Sequence, residues 1–215
     1  MKPPIIIICL LLVFIPLTFL LLSLTRTTET RETITAWQPA IKPGDSSSQN
    51  PTTFTTINET TALTRNEGYT IFGGAGGTKK TDPRHSYYSR GWSQGGQWWQ
   101  LSQISTTGYE HIELSFSVKG SDTGPKNYII EYSIDGEDWA PLKDSNNVPI
   151  AYSIDKDNRF HKHGPYALSS EAGDVDLLYF RFINSGIESV AGGEIKSTGT
   201  NYITDIVITG VTQLE

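Results

Sequence analysis

From residue 53 onward, apolar and polar side chains alternate with a period of two, the spacing of strands that bury one face. In the stretch around Glu113–Lys119, Ile112, Leu114, Phe116 and Val118 fall on one face and Glu113, Ser115, Ser117 and Lys119 on the other. Tyr128, Ile130, Tyr132 and Ile134 alternate in the same way with Ile129, Glu131, Ser133 and Asp135. Asp135-Gly136 then reads as a tight hairpin turn, because both residues tolerate positive φ. Trp139 and Leu142 fall on the returning strand. Leu178, Phe180 and Phe182 alternate with Tyr179, Arg181 and Ile183, and Tyr202–Gly210 is a last strand. No segment after residue 30 has helical periodicity. Short strands separated by Gly, Asn, Asp and Ser turns predict an all-β, two-sheet sandwich.

One stretch breaks the rhythm. Trp98 and Trp99 are adjacent, so a strand sends them to opposite faces. Trp99 shares its face with Leu101, yet the next strongly apolar side chain, Ile104, has the opposite parity. A bulge near Ser102-Gln103 returns Ile104 to the core. One ring of the pair is then buried and the other is the candidate for exposure.

Ahead of the sandwich, Ile5 to Leu24 are twenty positions without a charge. As a helix they span roughly 30 Å, the hydrocarbon thickness of a bilayer. A cleaved signal peptide has a shorter apolar stretch and ends in a small-x-small site, whereas this run closes as Leu-Leu-Ser-Leu-Thr-Arg. The expected organisation is a single-pass transmembrane signal-anchor over 1–25, a flexible Thr- and Ser-rich stalk over 26–52, and a jelly-roll domain over 53–215 held outside the cell membrane.

Composition narrows the chemistry. Seventeen basic residues against twenty-three acidic ones give a net charge of −6, without the basic excess that phosphate-driven nucleic-acid binding needs. A single Cys excludes a disulfide framework and any Cys-based zinc cage. Gly73–Lys80 has the glycines of a phosphate loop but no Gly-Lys-Ser/Thr, and no helix follows it. There is no Gly-x-Ser-x-Gly elbow, and Glu110 and Glu113 are spaced to opposite faces of a strand. No catalytic residue is expected. His161 and His163, with Asp155 and Asp157 nearby, have an i, i+2 spacing that metal sites use, but a third clear ligand is missing, and no metal is assigned there.

What remains is aromatic. Tyr87, Tyr88, Arg90, Trp92 and Trp98 crowd one Gly-, Ser- and Gln-rich stretch. A Trp or Tyr ring stacks on the apolar C–H face of a sugar while neighbouring donors read its hydroxyls. Arg90, Lys126 and Asn127 are the candidate donors, and Trp92 and Trp98 the candidate rings.

The order of several elements strengthens that reading: Ser89-Arg90-Gly91-Trp92, Trp99-Gln100, Thr107-Gly108-Tyr109-Glu110, Gly124-Pro125-Lys126-Asn127-Tyr128, Glu131–Gly136 with Trp139, Arg181-Phe182, Gly192-Gly193, and Thr204–Gly210. Across residues 68–210 the chain resembles the galactose-binding-like jelly-roll modules attached to exported Gram-positive surface-layer proteins and extracellular nucleases. The resemblance implies a non-catalytic, carbohydrate-binding appendage. It also implies a possible structural Ca²⁺ near the last strand, where Glu194 and Asp205 supply the acids. Two departures stand out: the extra residue between Trp99 and Ile104, and the lack of an attached catalytic domain. The expected function is a membrane-anchored, outward-facing glycan-binding module. The alternative is a domain that docks on another cell-envelope protein.

Overall fold

The computed structural model of the chain describes residues 29–37, 53–54, 62–65, 72–75, 85–92, 95–144 and 146–212. The expected membrane segment, residues 5–24, lies outside them. Among the described residues, no helix is long and apolar enough to cross a membrane. The strands are β1 (Arg31–Trp37), β2 (Thr53–Phe54), β3 (Ala62–Arg65), β4 (Phe72–Ala75), β5 (His85–Ser89), β6 (Trp98–Ile104), β7 (Tyr109–Gly120), β8 (Asn127–Ser133), β9 (Ala140–Pro141), β10 (Ala151–Ser153), β11 (His161–Ala167), β12 (Leu178–Asn184) and β13 (Asn201–Thr212). One 3₁₀ turn spans Ser170–Ala172.

These strands form two antiparallel sheets. The first runs β11-β7-β13-β1-β2. β13 serves two neighbours on one edge: Asn201–Ile203 pair with β5, and Ile206–Val211 pair with β1. β4 continues outward from β5. The second sheet runs β10-β8-β12-β6-β3, with β9 beside β10 on the outer edge of β8. From β5 onward, successive long strands alternate between sheets, so the connections cross the ends of the sandwich as in a jelly roll.

Apolar alternation builds the core between the sheets. Ile112, Leu114, Phe116 and Val118 all point inward and are buried, as predicted, opposite Tyr128, Ile130, Phe180 and Phe182. Phe116 and Phe182 meet edge-on with centroids 4.7 Å apart. Each such side chain contributes about 1.5–3 kcal/mol by leaving water.

Bulges correct the parity where the sequence breaks it. Gln103 has φ 58°, and the β12–β6 register slips between Leu178 and Phe180, so Leu101 and Ile104 are both buried. Asp205, at φ 49°, does the same for Ile203 and Ile206 on β13.

Two expectations are corrected. Ile134 is 47% exposed, because β8 ends one residue earlier. The Ser133 hydroxyl there accepts the Gly136 N–H at 2.9 Å, and Asp135 Oδ1 accepts the N–H groups of Glu137 and Asp138. Side-chain acceptors thus turn the backbone out of the sheet. The expected stalk over 26–52 also fails at Arg31–Trp37, which is a strand of the first sheet; its other positions, apart from Glu29 and Thr30, lie outside the described residues. Ile34 and Trp37 are fully buried. A register shift between Thr33 and Thr35 gives these two a spacing that a period-two reading misses.

Candidate functional site

The outward face of the second sheet groups polar and aromatic side chains. Opposite the buried Trp99 and Leu101, β6 presents Trp98, Gln100 and Ser102. On β12, opposite Phe180 and Phe182, the outward residues are Tyr179, Arg181 and Ile183. On β8 they are Asn127, Ile129 and Glu131. Cross-strand pairing places Gln100, Arg181, Glu131 and Pro141 in one row across four strands, and Trp98, Ile183 and Ile129 in the next row.

Arg181 is the hub. Its Nε donates to Gln100 Oε1 at 2.8 Å, and Gln100 Nε2 donates onward to Ser102 Oγ at 2.9 Å. The guanidinium lies 3.7 Å from the centroid of the Trp139 ring and 4.7 Å from that of Trp98. Trp139, in the turn between β8 and β9, meets Tyr179 edge-on at 6.4 Å. Partial burial lowers the Arg181 pKa, while Glu131 across the strand pulls it back up; a guanidinium stays charged under both influences. Two half-buried rings, Trp98 and Trp139, therefore flank one fixed cation, with a carboxylate and an amide in the same row as Arg181.

Of the residues picked from sequence, Trp98 and Asn127 share this face. Lys126 and Asn127 are held by Glu188, with Lys126 Nζ on Glu188 Oε1 at 2.8 Å and Asn127 Nδ2 on Oε2 at 3.4 Å. That hydrogen bond from Lys126 keeps the Glu188 carboxyl below its usual range. Ser153 Oγ also donates to Asn127 Oδ1 at 2.8 Å.

Trp92 is corrected from candidate ring to core residue. It has no exposed surface, its Nε1 donates to the Ser89 carbonyl at 2.9 Å, and its ring packs against Trp99 and Tyr128. The Arg65 guanidinium covers it at 3.4 Å. A ring enclosed in this way has no face to offer a sugar.

Arg90 follows the last residue of β5, a strand of the other sheet. It is exposed and lowers the Tyr202 pKa, although burial raises that phenol overall. Tyr202 lies against Tyr88 at 5.5 Å, beside Lys119. The aromatic stretch from Tyr87 to Trp98 is thus split three ways. Alternation separates Tyr87 from Tyr88, Trp92 caps the core, and the crossover from β5 to β6 carries Trp98 to the opposite sheet.

The sequence reading passed over Trp139, Tyr179, Arg181 and Gln100 as site residues. The signal was present: Tyr179 and Arg181 were on the polar parity of a strand whose other face is all apolar.

His161 is paired on both ring nitrogens, with Asp157 Oδ2 at 2.8 Å and Asp155 Oδ2 at 3.6 Å. Those carboxylates approach opposite edges of the ring. His163 stacks on Phe116 at 5.5 Å, and burial lowers its pKa. Among the described residues, no three His, Cys, Asp or Glu side chains gather to hold a metal. Glu194 is exposed beside Glu188, and Asp205 sits in the β13 bulge.

The chain matches no protein-family model and no curated protein. Among solved structures it is similar to the CBM22-2 xylan-binding domain of Xyn10C from Paenibacillus barcinonensis, at 12% identity and a TM-score of 0.45 over 69% of this chain and 91% of that one. It is similar to the K1 cleaved adhesin domain of Lys-gingipain from Porphyromonas gingivalis W83, at 13% identity and 0.43 over 84% and 97%. A third likeness is to the N-terminal cellulose-binding domain of β-1,4-glucanase C from Cellulomonas fimi, at 10% and 0.39 over 70% and 91%. Likenesses this distant carry no ligand across.

Proposed function

We propose that this chain is a non-catalytic glycan-binding domain whose binding surface is the outward face of the β8/β12 sheet. One observation carries the reading: the Arg181 cation is flanked by the Trp98 and Trp139 rings, in a row with Gln100 and Glu131. Sugars present apolar C–H faces and rims of hydroxyls, so a receptor needs flat rings next to fixed donors and acceptors. Strands hold Trp98, Gln100, Arg181 and Glu131 with little freedom, which spares the ordering cost of binding. Only the Nε of Arg181 is hydrogen-bonded among the described residues, which leaves its terminal N–H groups for hydroxyl oxygens. Glu131 is an acceptor in the same row.

The apolar segment 5–24 serves in this reading as a membrane anchor that presents the domain outside. Six residues separate it from β1, a tether of at most about 20 Å when fully extended.

Calorimetric titration against a panel of neutral oligosaccharides tests the function. A glycan that binds should lose at least tenfold in affinity to Trp98→Ala and to Trp139→Ala, with the fold intact by circular dichroism. Binding untouched by both variants refutes the site. Capture of one stoichiometric envelope protein with no glycan bound supports the docking alternative instead.

A further inference from the structure

Next to the platform, at the rim of the sandwich, lies an open cleft of about 610 Å³, within the range of small-molecule sites. Its apolar floor is Leu142 and Leu168, and its polar wall includes Asp144, Asn147, Ser169 and Glu171. The Tyr132 hydroxyl, which also lines it, is 2.9 Å from Ser169 Oγ. Asp144 is held in place by the N–H groups of Asn146 and Val148, both at 2.9 Å from its Oδ1.

The cleft is continuous with the platform. Ala140 and Pro141, the whole of β9, form one of its walls. Pro141 is also the last member of the row that runs through Glu131, Arg181 and Gln100. Three strand spacings of ~4.8 Å make that row about 14 Å long. Trp139 stands immediately before Ala140, where the row meets the cleft.

We propose that the cleft is an end-of-chain subsite. A linear, uncharged oligosaccharide crosses the strands along the Gln100–Arg181–Glu131 row, passes Trp139 and Pro141, and places its terminal unit in the cleft. The inference rests on the glycan-binding reading and adds to it a ligand shape, a direction and a polarity. The lining argues for a neutral unit: Asp144 and Glu171 outnumber the single cation, Lys143, and repel a uronate or a phosphorylated sugar. Hydroxyl, amide and carboxylate groups over a leucine floor suit a polyol with one apolar face.

The test is the dependence of affinity on chain length. Xylo-, cello-, manno- and chito-oligosaccharides of two to six units are titrated calorimetrically into the parent protein and the double variant Ala140→Leu/Ala167→Leu. Both positions line the cleft and are exposed, so the added bulk narrows it without entering the core. In the parent, affinity for the bound series should rise at least tenfold from the shortest to the longest member. In the double variant that rise should fall to within twofold, with the shortest member bound as in the parent. Trp139→Ala should weaken every length. A length dependence that survives in the double variant, or a flat one in the parent, overturns the end-of-chain subsite and leaves the platform standing. No binding by any series overturns the glycan reading and the subsite together.

Discussion

Removing the charge of Arg181 while keeping most of its length, as in Arg181→Met, probes the hub of the platform. The guanidinium sits 3.7 Å from the Trp139 ring and 4.7 Å from the Trp98 ring. At a half-exposed site each such contact is worth about 0.5–1 kcal/mol. The charge-assisted hydrogen bond to Gln100 at 2.8 Å adds about 1.5 kcal/mol. Methionine retains the packing of the stem and part of the ring contact, so the expected loss is about 2 kcal/mol. A domain of this size loses about 2–4 °C of melting temperature per kcal/mol. A double-mutant cycle with Trp139→Ala isolates the ring–cation coupling, expected near 1 kcal/mol. Equilibrium urea unfolding, followed by far-ultraviolet circular dichroism, measures all four corners. A coupling below about 0.3 kcal/mol, within the error of additivity, would mean that Arg181 and Trp139 do not form the stacked pair, and the platform argument would fail with it.

Further outcomes follow from the same geometry. Trp92→Ala should cost about 3–5 kcal/mol of stability as a large core deletion, whereas Trp98→Ala should cost less than about 1.5 kcal/mol; comparable losses would contradict their assignment to core and surface. His163 has its pKa lowered from 6.5 by burial. Below pH 6.5 the unfolded chain therefore binds more protons than the folded one, and stability falls with pH toward the depressed folded value. His163→Phe should lose less stability than the parent between pH 7 and pH 5, and equal losses would refute this. Gly124→Ala should destabilise strongly, because its new methyl group would be driven into the Thr200 carbonyl oxygen; a melting temperature unchanged within about 2 °C would place that loop contact in error.

The long strands were legible because hydrophobic burial writes a period of two into them. Ile112 to Val118 needed no other information, and the parity break at Ile104 even located the bulge at Gln103. β1 was hidden for the same physical reason. Its register shift puts Ile34 and Trp37 three residues apart within a Thr-rich stretch, so the short Ile34-Ala36-Trp37 patch carried too little alternation to outweigh a composition that reads as stalk. Ile134 failed in the opposite direction: the alternation ran on past the point where Ser133 and Asp135 take up the turn's N–H groups.

The site was legible only in part. Trp98 could be singled out because its neighbour Trp99 had to go inside. Its partnership with Arg181 and Trp139 depends on sheet order, since β6, β12 and β8 are neighbours in space and far apart in the chain. Arg90 and Trp98 lie close together in sequence, but Arg90 follows β5 and Trp98 opens β6, strands of opposite sheets.

The most direct measurement uses the five tryptophans as reporters. A ¹⁵N-edited NMR titration resolves their indole N–H resonances as oligosaccharide is added. The account predicts that the Trp98 and Trp139 signals shift with saturation, while those of the buried Trp37, Trp92 and Trp99 stay in place. Shifts confined to the buried three, or five unmoved resonances in the presence of a glycan that calorimetry shows to bind, would contradict it.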